Sequence, residues 1–595
     1  MTKSLLSLSA ILLASLSTAA LAQSAETPAV SAKPYNIQWG VKIPMRDGVA
    51  LDATIIRPAG VSTKYPVVLT LTPYVADRFI DVGAYFAKAG YVFAIVDNRG
   101  RGNSDGTFIP WVEDGRDGHD TVEWLARQAW SDGQVAMWGG SYGGKNQWMI
   151  AGEVPEGLKT IVPAAAGLVG MNIGMNNGNV MRGFDHNWLV SVMGNTPNNN
   201  GSGDRAYWTG VYREAAKGEV PFRDFDKLAG YPSPIWQEWM RHPEFDAFWQ
   251  AASVAPDRYA DIALPTLSIT GQYDASNTGT MVFRQNHIDA RPDLAKDSYL
   301  VIGPWDHPGT RVPKQVVGGI DFGAGAMLDI KALHVAWYDH VMKGGPVPAF
   351  LKDHFVYYLA GKGEWRSAPS VAAATGRAET LFLSSPKSSA GSVAERGELA
   401  PRSARQAPDA YVYDPSLPPH NEGYEGGELV SADYLIDDGM MRRLDSDGLV
   451  YDSAPLAAAA DLVGQPKLTL SLAMDVPDTD VRAALYEVKQ DGSVIFLTQD
   501  WVRARYRHSR QKPEPVQPGK VELYRFENFH FIARTLEPGS VVRLIIVPLG
   551  ASYHSQRNRN SGQPVADETA ADNKVANVSV HLGPGGSRLD LPWRE

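Results

Sequence analysis

One short run of this chain has the residue types and spacing of an acyl-transfer site. Five β-compatible residues, Gln134 to Trp138, lead into Gly139-Gly140-Ser141-Tyr142-Gly143-Gly144, and helix-compatible residues follow. G-x-S-x-G between a strand and a helix is the pattern of a nucleophile elbow, a turn tight enough to lift a serine hydroxyl clear of the sheet. Its glycines keep Cβ atoms out of a place where they would collide with neighbouring backbone. The chain matches the pattern a second time, at Gly102-Asn103-Ser104-Asp105-Gly106. That match follows the apolar run Tyr91–Val96 only after the polar stretch Asp97–Arg101, and it leads into Thr107-Phe-Ile-Pro110. A proline there argues against a helix beginning at the serine. Ser141 is read as the nucleophile and Ser104 as a loop serine.

A serine hydroxyl is a weak nucleophile at neutral pH. It needs an imidazole base, and the imidazole needs a carboxylate to fix its tautomer and stabilise the imidazolium. Behind a nucleophile elbow these follow in the chain order Ser, Asp, His. Asp274 ends Gly271-Gln-Tyr-Asp274, just after the apolar run Pro265–Thr270, and His307 ends Gly303-Pro-Trp-Asp-His307, after Ser298–Ile302. Both lie just past strand ends, the edge where ligands and catalytic groups of open α/β sheets collect. Asp306 is an alternative acid, but adjacent loop residues rarely orient each other's side chains, so Asp274 is preferred. The developing oxyanion also needs donors. One is the backbone N–H of Tyr142, immediately after the nucleophile. The second is expected after an early strand, where Pro73-Tyr74 replaces a glycine-rich loop and the Tyr74 phenol becomes a side-chain donor.

The elements that must hold these residues can be outlined. Apolar runs at Tyr65–Thr72, Tyr91–Val96 and Gln134–Trp138 alternate with helical stretches at Gly83–Ala89 and Asp117–Arg127, the mark of a helix-covered parallel sheet over 35–165. Asp114, Asp117 and Asp120 read as first-turn helix acids rather than a metal site. Residues 166–255 change character: Asn is dense, Trp188, Trp208, Trp236, Trp239 and Trp249 are interspersed, and an inserted helical cap is expected. The α/β pattern resumes over 256–350, with a helix from Ile330 to Met342 stopped by Gly344-Gly345-Pro346. Residues 385–410, rich in Ser, Ala and Pro, read as a connecting segment. Over 351–595 short β runs at Lys467–Leu472, Val481–Val488, Val494–Leu497, Val521–Phe526, Ser540–Pro548 and Val575–Leu582 suggest a β-sandwich of jelly-roll type.

Composition narrows the function class. The 595 residues exceed what one core serves, and a net charge of −10 disfavours nucleic acid as a partner. Lys3, the apolar stretch Leu5–Ala20 and Ala20-Leu21-Ala22 read as a cleavable signal over residues 1–22, so the expected location is periplasmic or secreted, with no membrane attachment after cleavage. Cysteine is absent, which excludes disulfides and thiol catalysis. No cofactor or metal is implied, the expected partner is a small-molecule ester or amide, and a homo-oligomer is compatible with the sequence.

Taken together, Pro73-Tyr74, Asp97-x-Arg99-Gly-x-Gly-x-Ser-x-Gly106, Trp138-Gly-Gly-Ser-Tyr-Gly143, Gly271-x-Tyr-Asp274, Gly303-Pro-Trp-x-His307 and Trp337-Tyr-Asp339 resemble the cocaine-esterase/NonD hydrolases. These are related to X-prolyl dipeptidyl peptidases and α-amino-acid ester hydrolases. Asp478-Thr-Asp480 and Arg503-Ala-Arg-Tyr-Arg507 extend the resemblance into the C-terminal half. It implies an α/β-hydrolase core, a helical cap and a C-terminal jelly roll. It also implies the triad Ser141, Asp274 and His307, with Tyr74 and Tyr142 as oxyanion hole. The ester hydrolases bind a substrate ammonium with carboxylates two and three residues after the triad aspartate; here those positions are Ser276 and Asn277. Met175-Asn176-Asn177 stands where a third acid is expected, so α-amino substrates are disfavoured. The alternative activity to an esterase is an X-Pro dipeptidyl peptidase, for whose amine recognition no acid is assigned, or a glutaryl/β-lactam acylase-type amidase, for whose acidic acyl group Lys145 and Arg182 are candidates, although structural roles are preferred for both. Asp478 and Asp480 are weighed as a Ca²⁺ site against a turn, and the turn is preferred. A reading from another class is a non-catalytic carbohydrate- or peptide-binding protein using Trp501, Tyr506, Tyr524 and Tyr553. The complete Ser–Asp–His–Tyr set argues against it.

Overall fold

Ten strands form the first sheet: β1 (Tyr35–Pro44), β2 (Ala50–Pro58), β3 (Tyr65–Thr72), β4 (Val92–Asp97), β5 (Ser131–Gly140), β6 (Leu158–Ala164), β7 (Thr266–Gly271), β8 (Ser298–Gly303), β9 (Phe355–Leu359) and β10 (Glu364–Ala368). Their order is β1-β2-β4-β3-β5-β6-β7-β8-β9-β10. The computed structural model describes residues 34–60, 63–418, 432–442, 444–549 and 554–594; the expected signal segment lies outside them. From β4 to β9 every pairing is parallel. Such strands are buried on both faces, which is why Val92–Asp97 is apolar at nearly every position.

Alternate residues of these strands feed two cores. Val67, Leu69, Val92 and Ala94 pack with helices α2 (Asp114–Ala126) and α3 (Tyr142–Gly152) through Val122, Leu125, Trp148 and Ile150. Val68, Phe93 and Ile95 pack on the other face with Phe86, Leu333 and Trp337, from the helices Ile80–Lys88 and Ile330–Lys343. The latter helix is capped by Asp329 and stops at Gly344 with φ of 68°, as its glycine pair predicts. β1 and β2 were not anticipated. They pair antiparallel, and β2 joins them to β4; β1 is the edge strand, where most residues face solvent and the apolar pattern is broken, while β2 is largely buried between its neighbours.

The sheet also runs past the expected boundary at residue 350. Phe355–Leu359 is buried throughout and adds to β8 in parallel, and β10 closes that edge. Between β6 and β7 lie the cap helices, including Gly183–Ser191, Arg205–Lys217 and Pro234–Met240, around an aromatic core of Trp111, Tyr142, Trp208, Trp236, Trp239 and Trp249. Among the described residues from Arg377 to Arg594, thirteen strands form a second hydrogen-bonded network with its own core. All six expected β runs are strands in it. The segment 385–410, expected to be a connection, contributes the strand Gly397–Ala400, whose Leu399 turns into that core. Asp480 and Asp478 form neither a turn pair nor an open cation site: they bind Arg503 at 2.8 Å and Arg505 at 2.7 Å. Tyr524 and Tyr506 are buried, and Trp501 donates to Asn177 O, so these rings serve packing. Tyr553 lies outside the described residues.

Candidate active site

The strand order reverses around β3: β4 lies on one side and β5 on the other. Loops leaving the carboxyl ends of adjacent strands at such a point diverge and leave a crevice. Tyr74 leaves β3 and Ser141 leaves β5, next to each other in the sheet. Asp274 and His307 leave β7 and β8 at the same edge.

Ser141 has φ of 62° and ψ of −118°, a conformation that costs a non-glycine residue about 1–3 kcal/mol. The turn holds it there from both sides. Its N–H donates to Ala164 O at 2.9 Å, and its carbonyl accepts from Gly144 and Lys145 in the first turn of α3. Gly139 and Gly144 are required by contact. A Cβ on the first would lie 2.9 Å from Gly143 O, and one on the second would collide with Ala164 O. Arg311, four residues beyond His307, packs directly on Gly140 and brings the histidine loop against the elbow.

Asp274 is fully buried, and its Oδ1 accepts from His307 Nδ1 at 2.7 Å. Thr270 Oγ1 donates to Oδ2 at 2.8 Å and Ser276 N–H to Oδ1 at 2.9 Å. Burial alone would raise this carboxyl; the imidazole and the two donors outweigh it and hold it below the ordinary range. With Nδ1–H spent on Asp274, the nitrogen left for proton transfer is Nε2 of a side chain that stays 33% exposed. Asp306 instead accepts from Gly309 N–H at 2.9 Å inside its own loop, which removes it as the acid. Ser104 is occupied too: its hydroxyl donates to Asp97 O and accepts from Asp52 N–H, both at 2.7 Å.

The Tyr74 phenol accepts a hydrogen bond from Trp188 Nε1 at 3.1 Å. Tyr142 opens α3, so its N–H belongs to a helix N-terminus with no intrahelical acceptor. Its ring is buried and stacks on Trp111 and Trp188, and its hydroxyl accepts from Trp111 N–H at 3.1 Å. Behind it lie two buried charges. Burial pushes Asp114 up, against Tyr142, Lys145 and Asn98, and pushes Lys145 down, against Asp114. Lys145 donates to Ala252 O and sits 5.2 Å from the centre of the Trp111 ring. Asp114 accepts from Asn98 at 2.7 Å, Asp117 is bound by Arg99 and Asp120 by Arg46, so the three acids are partnered rather than merely first-turn charges.

Several residues at the site carry no spacing signal. Gln272 and Asn277 fasten the acid loop to the C-terminal strands: Ala533 N–H donates to Gln272 Oε1 and Phe531 N–H to Asn277 Oδ1, each at 3.0 Å. His530 sits close enough to feel the charge of Asp274, while burial pushes its imidazole down. These partners are more than 250 residues apart in sequence, and only the folded chain reveals them.

Comparison with known proteins agrees with this architecture. Residues 47–309 match the model of the X-Pro dipeptidyl-peptidase (S15 family), and residues 340–584 match that of the X-Pro dipeptidyl-peptidase C-terminal non-catalytic domain. The chain belongs to the CocE/NonD and X-Pro dipeptidyl-peptidase family. It is similar to a cocaine esterase from Rhodococcus sp. (strain MB1 Bresler), 27% identical over 92% of this chain and 97% of the esterase. Its fold matches that of an α-amino acid ester hydrolase, with a TM-score of 0.80, 22% identity, and coverage of 97% of this chain and 100% of that one. An aminopeptidase from the marine sediment archaeon Thaumarchaeota archaeon matches with a TM-score of 0.81 and 22% identity, covering 94% of this chain and 97% of that one. The chain is an enzyme of the serine esterase and peptidase type.

Proposed function

We propose that this enzyme is an exported serine hydrolase that cleaves a small ester, and less readily an amide, through an acyl-enzyme on Ser141. The observation that carries this reading is the 2.7 Å bond from His307 to buried Asp274, at the sheet edge where Ser141 is held with positive φ. His307 Nε2 takes the serine proton as Oγ attacks the carbonyl carbon. The oxyanion is met by Tyr142 N–H and the Tyr74 hydroxyl, and the same imidazole returns the proton to the leaving alcohol or amine. Water then repeats the sequence on the acyl-enzyme. Export rests on Lys3, the apolar stretch and Ala20-Leu21-Ala22.

The surroundings disfavour substrates with a free amine. Ser276 accepts from Asn172, and Asn277 is fully buried between Gly271 O and Phe531 N–H. Asn176 binds Asp185 and Asn177 binds Asp500, so none of the four positions offers a carboxylate to an ammonium. An acidic acyl group is disfavoured as well: Lys145 is sealed inside, and Arg182 is committed to Asp185 and Asn172 O. The test is a panel of aryl esters, α-amino esters, X-Pro anilides and glutaryl amides. The highest kcat/KM is expected for an aryl ester, and a preference for an amine-bearing substrate would overturn the assignment.

A further inference from the structure

The second G-x-S-x-G turn takes no part in the chemistry above, yet it carries Arg101, a fully buried cation that the mechanism leaves unexplained. Its hydrogen bonds all go to main-chain carbonyls. Nε donates to Pro73 O at 2.7 Å, and Nη1 donates to Val192 O at 2.6 Å and to Gly194 O. Pro73 immediately precedes Tyr74. Val192 is the C-cap of the cap helix Gly183–Ser191, which bears Trp188 one turn before its end. A guanidinium suits this place because it offers forked donors to the unpaired carbonyls of a helix C-terminus and a favourable charge to its dipole. Burial lowers it only to about 10, so it stays charged at neutral pH. The adjacent Gly102 strengthens the clasp, with its N–H donating to Asn195 O at 2.7 Å. The turn therefore grips the Tyr74 loop with one nitrogen and the end of the Trp188 helix with another.

We propose that Arg101 is a positioning residue for the oxyanion hole: by tying the end of the cap helix to Pro73, it holds the indole N–H of Trp188 on the Tyr74 phenol and so aims the phenol's proton at the oxyanion. Indole nitrogen is a donor only, so the Tyr74 oxygen must accept from it. The hydroxyl proton is thereby left for another acceptor, and accepting one bond strengthens the donation of the next. The proposal rests on the reading of Tyr74 as an oxyanion donor.

A double-mutant cycle separates the two claims, using the full chain, p-nitrophenyl acetate as probe, and kcat and KM as readouts. Tyr74→Phe should lower kcat by about 10²–10³-fold. Arg101→Lys keeps the charge but not the fork, and should lower kcat by about 10-fold with KM little changed, as a displaced catalytic group does. In the Tyr74→Phe background the same Arg101→Lys change should cost less than roughly twofold, because the group through which it acts is gone. Equal losses in both backgrounds would overturn the positioning role while leaving the Tyr74 reading intact. No loss in Tyr74→Phe alone would overturn both. If Arg101→Lys does not accumulate as folded protein, Trp188→Phe carries the cycle: it removes the indole N–H from Tyr74 and also shrinks the ring stacked on Trp111 and Tyr142, so only the part of its loss that disappears beside Tyr74→Phe counts for the proposal. A loss that persists unchanged beside Tyr74→Phe would again reject the proposal.

Discussion

The turn at Ser141 and the turn at Ser104 carry the same five-residue pattern, yet their neighbours use it differently. At Ser141 a buried strand runs straight into a helix, and the serine is held with φ of 62° at the helix N-terminus beside two other strand-end loops. At Ser104 four polar or glycine residues, Asn98 to Arg101, separate the strand from the motif, and the hydroxyl is consumed by Asp97 O and Asp52 N–H. One turn presents a side chain and the other knits main chain together. The electrostatics differ in the same sense. Asp274 is held below its ordinary range by the imidazole and two donors, whereas burial, with Asp52 nearby, pushes Asp97 up to about 7. Glycine spacing specifies that a tight turn forms; what the turn faces decides its use.

The largest expected effect separates the two serines outright. Ser141→Ala should lower kcat on a p-nitrophenyl ester by about 10⁶-fold, the scale on which a triad nucleophile is lost. Asp274→Asn should cost about 10⁴-fold, because the imidazole loses the partner that fixes its tautomer. Ser104→Ala should leave kcat essentially unchanged and instead lower stability by about 1–3 kcal/mol in urea titrations, since a buried N–H and a buried carbonyl each lose a partner. A mutant that stays stable but inactive would reverse the roles assigned here.

The subtlest contrast is in pH dependence. The folded-state pKa of Asp97 is raised from 3.8 to about 7, so its contribution to stability is complete below 3.8 and is lost as pH rises toward 7. Asp274 has the opposite sign: its contribution is present above 3.8 and is lost as pH falls through its lower folded value. Asp97→Asn should therefore flatten the decline in unfolding free energy between pH 4 and 7. An unaltered slope in that window would rule out Asp97 as its source.

Much of this was legible beforehand. The elbow, the acid loop and the histidine loop are local signals, each a polar cluster after an apolar run, and the sheet places them together as their strand ends imply. The central strands were readable because burial on both faces leaves an unbroken apolar run, while the edge strands β1 and β10, half solvated, leave none. Less legible were the contacts that tune the site. Trp188 reads as one cap tryptophan among several until its N–H is found on Tyr74, and nothing in the spacing of Arg101 points to carbonyls on two other loops. Gln272 looks like an ordinary loop residue and Asn277 reads only as a neutral residue where an amine-binding acid could stand, yet the C-terminal domain holds the acid loop through their carboxamides.

The central claim is that Ser141 alone of the two turn serines is the nucleophile. It is tested most directly by treating the folded protein with a fluorophosphonate and locating the adduct by mass spectrometry of its peptides. The expected result is a single covalent adduct on Ser141, absent from Ser141→Ala and retained in Ser104→Ala. An adduct on Ser104, or persistent labelling of Ser141→Ala at the same rate, would contradict it.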